Sequence, residues 1–336
     1  MKVIYCLLML MFLFLTISSQ AMWSEADCMD RREKVYVAGH TGLVGSAIMR
    51  KLRSEGFSSI ATRGSKDLDL RDQQAVDYFF RTERPSYVFL AAAMVGGIKA
   101  NMDFPAQFIY DNIAISSNII HAAYVYGVKK LLFLGSSCIY PRSCPQPIRE
   151  EYLLTSELEP TNEPYAIAKI AGLKMCQAYN RQYGTKFISC MPTNLYGPHD
   201  NFDLKTSHVM PGLIAKICQA QKENRDVVEV WGSGRPRREF LYIEDLADAL
   251  LHLMRYYQGN EIINIGTGMD ITIAELADLI KDTVNYKGEL IFNPAYPDGT
   301  PQKLLDMRKL HEHGWHAPTS LAQGISQTVA WYREHV

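Results

Sequence analysis

A short apolar run, Lys34-Val35-Tyr36-Val37-Ala38, ends at a glycine, and two more glycines follow at three-residue intervals. No other feature narrows the possible folds as much. Gly39-His40-Thr41-Gly42-Leu43-Val44-Gly45 joins a strand-like run to residues 43–52, where apolar side chains recur at helical spacing. Glycines at such a turn permit a tight bend. They also let the backbone approach a pyrophosphate at the helix N-terminus, where unpaired N–H groups attract anions. Three glycines alone would describe an ordinary turn; their place between strand and helix makes a dinucleotide fingerprint.

The pattern continues downstream. Strand-like runs at 59–62, 87–91 and 130–134 alternate with helical periodicity at 73–83 and 113–126. The order β-α-β-α-β-α-β predicts an α/β fold, a Rossmann doubly wound parallel sheet with helices on both faces. At 336 residues the chain exceeds what one compact core usually holds. After Pro198, Gly and Pro become frequent and the apolar runs at 227–231 and 262–265 are short, separated by a helical stretch at 245–256. We therefore expect residues 34–197 to be mainly the dinucleotide-binding domain and 198–336 mainly a smaller α/β substrate lobe, with the chain free to re-enter the core.

Sites for NAD usually place an acidic residue about 20 positions after the glycines, on the ribose hydroxyls. Here the second strand ends in Thr62-Arg63, with Lys66 nearby. Basic groups there suit a 2′-phosphate, so NADP(H) is the expected cofactor; the alternative is that Arg63 simply points into solvent. Overall charge points away from another class of ligand. With 35 basic and 36 acidic residues the formal net charge is −1, without the basic excess a nucleic-acid binder needs.

The N-terminus differs in texture. Lys2, an apolar run over 3–17 and Ser18-Ser19-Gln20-Ala21 have the layout of a cleavable signal peptide. The run is short of the roughly 20 residues a membrane span requires. Residues 1–21 thus read as a signal-like leader and 22–33 as a linker; the alternative is an unused extension, because Met22 or Met29 could start a whole enzyme. Seven cysteines show neither disulfide nor metal-ligand spacing, which favours the cytoplasm over the secretory pathway and predicts no metal.

The chemistry is expected at Tyr165-Ala166-Ile167-Ala168-Lys169, a helix start that follows the fourth strand's end. Residues four apart share a helix face, and an ammonium beside a phenol lowers the phenol's pKa and lets it exchange a proton with a carbonyl or alcohol. With 19 tyrosines in the chain, one such pair arises by chance, and Tyr126 with Lys130 is a decoy that straddles Gly127. The strand-end serine, Ser136, adds a hydroxyl able to hold the same substrate oxygen.

This ordered set resembles the extended short-chain dehydrogenase/reductases. Longer segments sharpen the resemblance to the members that epimerise and reduce a GDP-4-keto-6-deoxy-hexose: Ala91-Ala92-Ala93-Met94-Val95-Gly96-Gly97-Ile98, Gly135-Ser136-Ser137-Cys138-Ile139-Tyr140-Pro141, Glu159-Pro160-Thr161-Asn162-Glu163-Pro164-Tyr165, Met191-Pro192-Thr193-Asn194-Leu195-Tyr196-Gly197-Pro198, Trp231-Gly232-Ser233-Gly234 and Pro297-Asp298-Gly299-Thr300-Pro301. The resemblance covers residues 34–336 and implies a GDP-sugar substrate. It implies that Ser136 and Tyr165 polarise the C4 oxygen, that Lys169 holds the nicotinamide ribose and tunes the tyrosine, and that Cys138 and His208 are the epimerising base and acid. Leu134, Gly135, Ser136 and Ser137, with Pro192, Thr193, Asn194, Leu195, Lys169 and His208, are implied at the cofactor; Lys216, Trp231, Arg238 and Asp298 at the GDP-sugar. A homodimer packed through Rossmann-lobe helices, the Tyr165 helix among them, is also implied. Some members carry a basic residue where this chain has Thr41, so the 2′-phosphate contact falls to Arg63 and Lys66. Other readings are a 4-epimerase or 4,6-dehydratase of the same scaffold, and a dinucleotide sensor without activity. A dehydratase would be expected to place an acidic pair where Ser137 and Cys138 stand, and a sensor tends to lose the Tyr–Lys pair.

Overall fold

A computed structural model describes residues 29–296 and 298–336, so the signal-like leader and most of the linker lie outside the described residues. The first lobe runs β1 (Val35–Ala38), α1 (Leu43–Ser54), β2 (Ile60–Ala61), α2 (Gln73–Glu83), β3 (Tyr87–Leu90), α3 (Ile98–Asp103), α4 (Pro105–Val125), β4 (Lys130–Leu134), α5 (Glu163–Tyr183) and β5 (Phe187–Pro192). Four of these strands, β1, β3, β4 and β5, are buried along their whole length. Continuous apolar runs of this kind belong in a parallel sheet covered on both faces.

The chain continues through β6 (Asn194–Tyr196), α6 (Val209–Lys222), β7 (Val227–Trp231), β8 (Arg237–Tyr242), α7 (Ile243–Tyr256), β9 (Ile263–Ile265), β10 (Asp270–Thr272), α8 (Ile273–Val284), β11 (Glu289–Asn293), β12 (Gln302–Lys303), α9 (Arg308–Glu312) and α10 (Leu321–His335). The large sheet has the order β2-β1-β3-β4-β5-β9, every neighbouring pair parallel. The run at 262–265 is therefore not a strand of the smaller lobe. The chain re-enters the core there, with Cys190, Met191 and Pro192 opposite Ile263, Asn264 and Ile265. Helix α7 returns with it and packs on α1 and β4. Buried Lys130 secures the end of that helix, donating to the carbonyls of Leu253 and Tyr257 at 3.1 and 2.5 Å.

Two boundaries differ from the sequence pattern. The helix expected over 113–126 begins at Pro105, because proline's fixed φ and missing N–H suit a first helical turn. The strand expected over 59–62 is reduced to two residues. The smaller lobe is built on β8, flanked by β6, β10 and β12, with β7 and β11 forming a separate parallel pair.

Connections from β1 lead outward to β2 on one side, while β3 lies on the other. The chain's direction across the sheet thus reverses at β1, and a crevice opens beyond the C-terminal ends of β1 and β3. Every candidate cofactor residue lies at that end of the sheet.

Candidate active site

A cleft of about 660 Å³ occupies the crevice. Its floor is the glycine turn. Gly39 has φ +84°, and a Cβ there would lie 2.8 Å from the Ala92 backbone, so the loops after β1 and β3 touch only because residue 39 has no side chain. A Cβ on Gly45 would lie 2.0 Å from the Gly39 carbonyl oxygen. Helix α1 starts at this point with Gly42 as N-cap, no side-chain cap and no acidic residue in its first turn. Its first N–H groups are thereby left to an anion, which fits a dinucleotide pyrophosphate.

All seven residues from Gly39 to Gly45 line the cleft, as do Leu134, Gly135, Ser136, Ser137, Lys169, Pro192, Thr193, Asn194, Leu195 and His208. Arg63 stands at its rim, ion-paired with Glu83 at 2.6 Å and donating to the Thr62 carbonyl. Lys66 is exposed and is not among the described residues that line the cleft. Sequence reasoning missed Asp69, Arg71 and Asp111 on the same wall, where Arg71 pairs with both carboxylates at 2.8 and 3.2 Å.

The reactive groups meet where β4 ends. Ser136 leads into a 3₁₀ turn over Ser137–Ile139, and its hydroxyl oxygen accepts from the Cys138 N–H at 3.2 Å. The same hydroxyl lowers the pKa of both the Cys138 thiol and the Tyr165 phenol, so the three groups share one corner of the cleft. Pro164 in the first turn of α5 directs the helix so that Tyr165 faces the strand end. One turn on, buried Lys169 donates to the Leu134 carbonyl at 2.8 Å. Its ammonium lies 5.9 Å from the Tyr165 ring centre. Burial holds that ammonium down at about 8.

The phenol differs from the expectation of a lysine-lowered pKa. Burial pushes it up, the Cys138 charge pushes the same way, and the Ser136 bond only partly opposes them. Tyr165 is thus built to stay protonated. The thiol has the opposite bias. Burial pushes Cys138 up, but the Lys303 ammonium, the Ser136 hydroxyl and the Arg238 charge together hold it below the ordinary thiol value. Lys303 Nζ donates to Cys138 Sγ at 3.3 Å. Across the cleft, His208 is the N-cap of α6 and remains accessible to solvent. Crowding by the cleft walls, and then Lys303, hold its imidazole below the usual range.

The four candidate substrate residues form a second group outside the cleft lining, in the smaller lobe. Lys216 Nζ sits 4.3 Å from the Trp231 ring centre, and Trp231 stacks on Tyr296 at 4.5 Å. Asp298 accepts from the Ser233 N–H and hydroxyl, both at 2.7 Å. Arg238 connects the groups, since its charge acts on Asp298 and on Cys138. The decoy pair separates: Tyr126 donates to Asp77 at 2.6 Å while Lys130 is buried under α7.

A glycine cradle at a topological switch point, a Ser–Tyr–Lys set beside it and a charge-stabilised thiol define a dinucleotide-dependent enzyme that carries its own acid–base groups. The sequence profile of the NAD dependent epimerase/dehydratase family matches residues 35–266, and the chain belongs to that family. More particularly, it is 55% identical over 315 residues to the putative GDP-L-fucose synthase 2 of Arabidopsis thaliana, covering 94% of this chain and 96% of that one. It is 51% identical to the GDP-L-fucose synthase of Escherichia coli, over 90% of this chain and 98% of that one. Among solved structures, a GDP-L-fucose synthetase from Naegleria fowleri bound to NADP superposes with a TM-score of 0.85 at 34% identity, covering 91% of this chain and 96% of the other. Among the described residues, no helix is long and apolar enough to cross a membrane.

Proposed function

We propose that this enzyme converts GDP-4-keto-6-deoxy-D-mannose to GDP-L-fucose with NADPH, epimerising C3 and C5 and then reducing the C4 ketone. The observation that carries this reading is the lysine-backed thiol next to the Ser–Tyr pair. Reduction alone needs no carbon-acid base. Epimerisation does.

Hydrogens at C3 and C5 are acidic because each is α to the C4 carbonyl. The Cys138 thiolate removes one, and the negative charge that develops on the C4 oxygen is held by the Ser136 and Tyr165 hydroxyls. His208 returns a proton on the opposite face; an imidazolium held below its usual pKa is a stronger acid than an ordinary histidine. Cys138 is left as thiol and His208 as neutral imidazole, and both reset through solvent at the accessible side of the histidine. The glycine turn, Arg63, Lys169 and residues 192–195 would hold NADPH, which when bound supplies the hydride for C4. Tyr165, kept protonated by burial, gives its proton to the C4 oxygen. Lys216, Trp231, Arg238 and Asp298 would hold the GDP moiety, the guanidinium presenting a planar donor fork to the diphosphate.

The reading extends to assembly and place. Helices α4 and α5 pack together and expose Tyr110, Ile113 and Ile167, a face suited to a homodimer. The five cysteines of the described residues are all free, as a thiol-dependent enzyme of the cytosol requires.

The test is direct. Mixing the protein with NADPH and GDP-4-keto-6-deoxymannose should bleach the nicotinamide absorbance and yield GDP-L-fucose. Persistence of NADPH with this substrate, alongside turnover of a different nucleotide sugar, would overturn the assignment.

A further inference from the structure

We infer that Glu239 is a positioning residue for the Cys138 thiolate, acting through β12 and Lys303. The inference rests on the proposed function only in taking Cys138 as the reacting base.

Strand β12 is two residues long, and its register sets Lys303 beside Arg238 of β8. So short a strand has little ladder of its own to hold an ammonium against a thiol. Glu239, the next residue on β8, is completely buried. One carboxylate oxygen accepts from the N–H groups of Thr267 and Gly268 at 2.6 and 2.7 Å. The other accepts from the N–H of Leu305 at 2.9 Å, two residues beyond Lys303. Both oxygens accept from backbone N–H groups, which oppose the upward push of burial on this carboxyl and clamp the β9–β10 turn to the segment that carries the lysine. Space has been left for it: a Cβ on Gly266 would lie 2.2 Å from the Glu239 oxygen. The Glu239 carbonyl also accepts from Asn194 Nδ2 at 2.7 Å and Thr193 Oγ1 at 3.3 Å. One residue therefore ties the wall of the cofactor cleft to the activator of the thiol.

The titratable and charged groups around the thiol are Lys303 from β12, Arg238 from β8 and Tyr165 from α5. Beyond Lys303 stand His208 and Cys144. Glu239 is not one of these neighbours. Its effect on the thiol is carried by the register of β12.

Glu239→Gln isolates that effect. An amide has one accepting oxygen, which satisfies Thr267 and Gly268; its NH₂ then faces the Leu305 N–H, donor against donor. The Leu305 end is released while the carbonyl bonds to Thr193 and Asn194 survive. The readout is the rate of Cys138 alkylation by iodoacetamide against pH, with Cys138→Ser as background. We expect the neutral-pH rate to fall about tenfold, NADPH affinity to stay within about twofold, and Glu239→Asp to restore part of the rate. In a Lys303→Met background the Gln substitution should add nothing, as required of two residues acting through one contact. An unchanged alkylation profile, or the same loss with and without Lys303, overturns the inference. So does failure of both Glu239 variants to fold, which would make the carboxylate a folding element alone. No substrate enters this measurement, so it stands or falls separately from the identity of the sugar nucleotide.

Discussion

Lys303 Nζ reaches Cys138 Sγ at 3.3 Å across 165 positions of sequence. That contact converts a sulfur that burial would keep protonated into one biased toward thiolate. Replacing Lys303 by methionine preserves most of the stem's packing and removes the charge. Burial is then opposed only by Ser136 and the more distant Arg238, so the thiolate fraction at neutral pH should drop. Exchange of the C3 and C5 protons with deuterated solvent should slow by about 10²-fold, the lower end of what a general base contributes. An exchange rate matching the parent enzyme would mean the ammonium is a bystander.

The two halves of the reaction should separate by mutation. Cys138→Ser is expected to abolish solvent exchange at C3 and C5 with NADPH affinity unchanged, because the substitution leaves the glycine cradle, Arg63 and Lys169 in place. Tyr165→Phe should slow the exchange only in part, because Ser136 still holds the enolate oxygen, and should slow hydride transfer more, by about 10²-fold or above, since the proton donor to the C4 oxygen is lost. Mass spectrometry of recovered substrate reads the first effect and single-turnover NADPH oxidation the second. If either variant lost both activities equally, the division of labour would be wrong.

The sequence shows the cradle clearly because its constraint is local: Gly39, Gly42 and Gly45 must fit one turn, and spacing records that. Tyr165 and Lys169 are legible for the same reason, as neighbours on one helix. Ser136 was readable from its place at a strand end. Cys138, His208 and the four nucleotide-lobe residues gain roles from resemblance, since nothing adjacent to them announces chemistry. Lys303 escaped notice entirely. It follows the Pro297–Pro301 segment by two residues, and only the pairing of β12 with β8 brings it to the thiol. The return of the chain to the core was allowed for, but β9 could not be assigned to the large sheet, because a run as short as Ile263-Asn264-Ile265 reads the same in either sheet. The lysine effect on Tyr165 was misjudged: spacing gives proximity, whereas burial decides which way the phenol moves.

Arg63 offers a test of cofactor choice that should leave the fold alone. Its pairing with Glu83 is at the surface, worth about 1 kcal/mol or less, so Arg63→Ala should barely alter unfolding by urea. Affinity for NADPH should fall by about tenfold through loss of a charge-assisted contact to the 2′-phosphate, while NADH binding stays the same. Fluorescence titration with both nucleotides distinguishes the cases. A parallel loss for NADH and NADPH would remove Arg63 from the 2′-phosphate.

Lys169 carries a stability cost that its function explains. Burial lowers the ammonium from an ordinary 10.5 to about 8 in the folded protein. Below pH 8 both folded and unfolded chains hold the proton, and the penalty for burying a charge is felt in full. Between pH 8 and 10.5 the unfolded chain binds a proton the folded one lacks, so stability rises with pH across this window and levels off above it. A displacement of this size corresponds to about 3 kcal/mol. Lys169→Met should remove the slope: the free variant gains stability at pH 7, less about 1 kcal/mol for the lost bond to the Leu134 carbonyl, and equals or trails the parent at pH 10.5. The tyrosines titrate in both proteins and cancel in the comparison, whereas Cys190, on which the Lys169 charge acts, is pushed further up by the substitution and stays a thiol. The same substitution should cost most of the reductase activity, because the ammonium that weakens the empty fold is the one a nicotinamide ribose would meet. Urea unfolding at pH 7 and pH 10 decides the matter, and parallel pH slopes for the two proteins would show that burial of Lys169 costs the fold nothing.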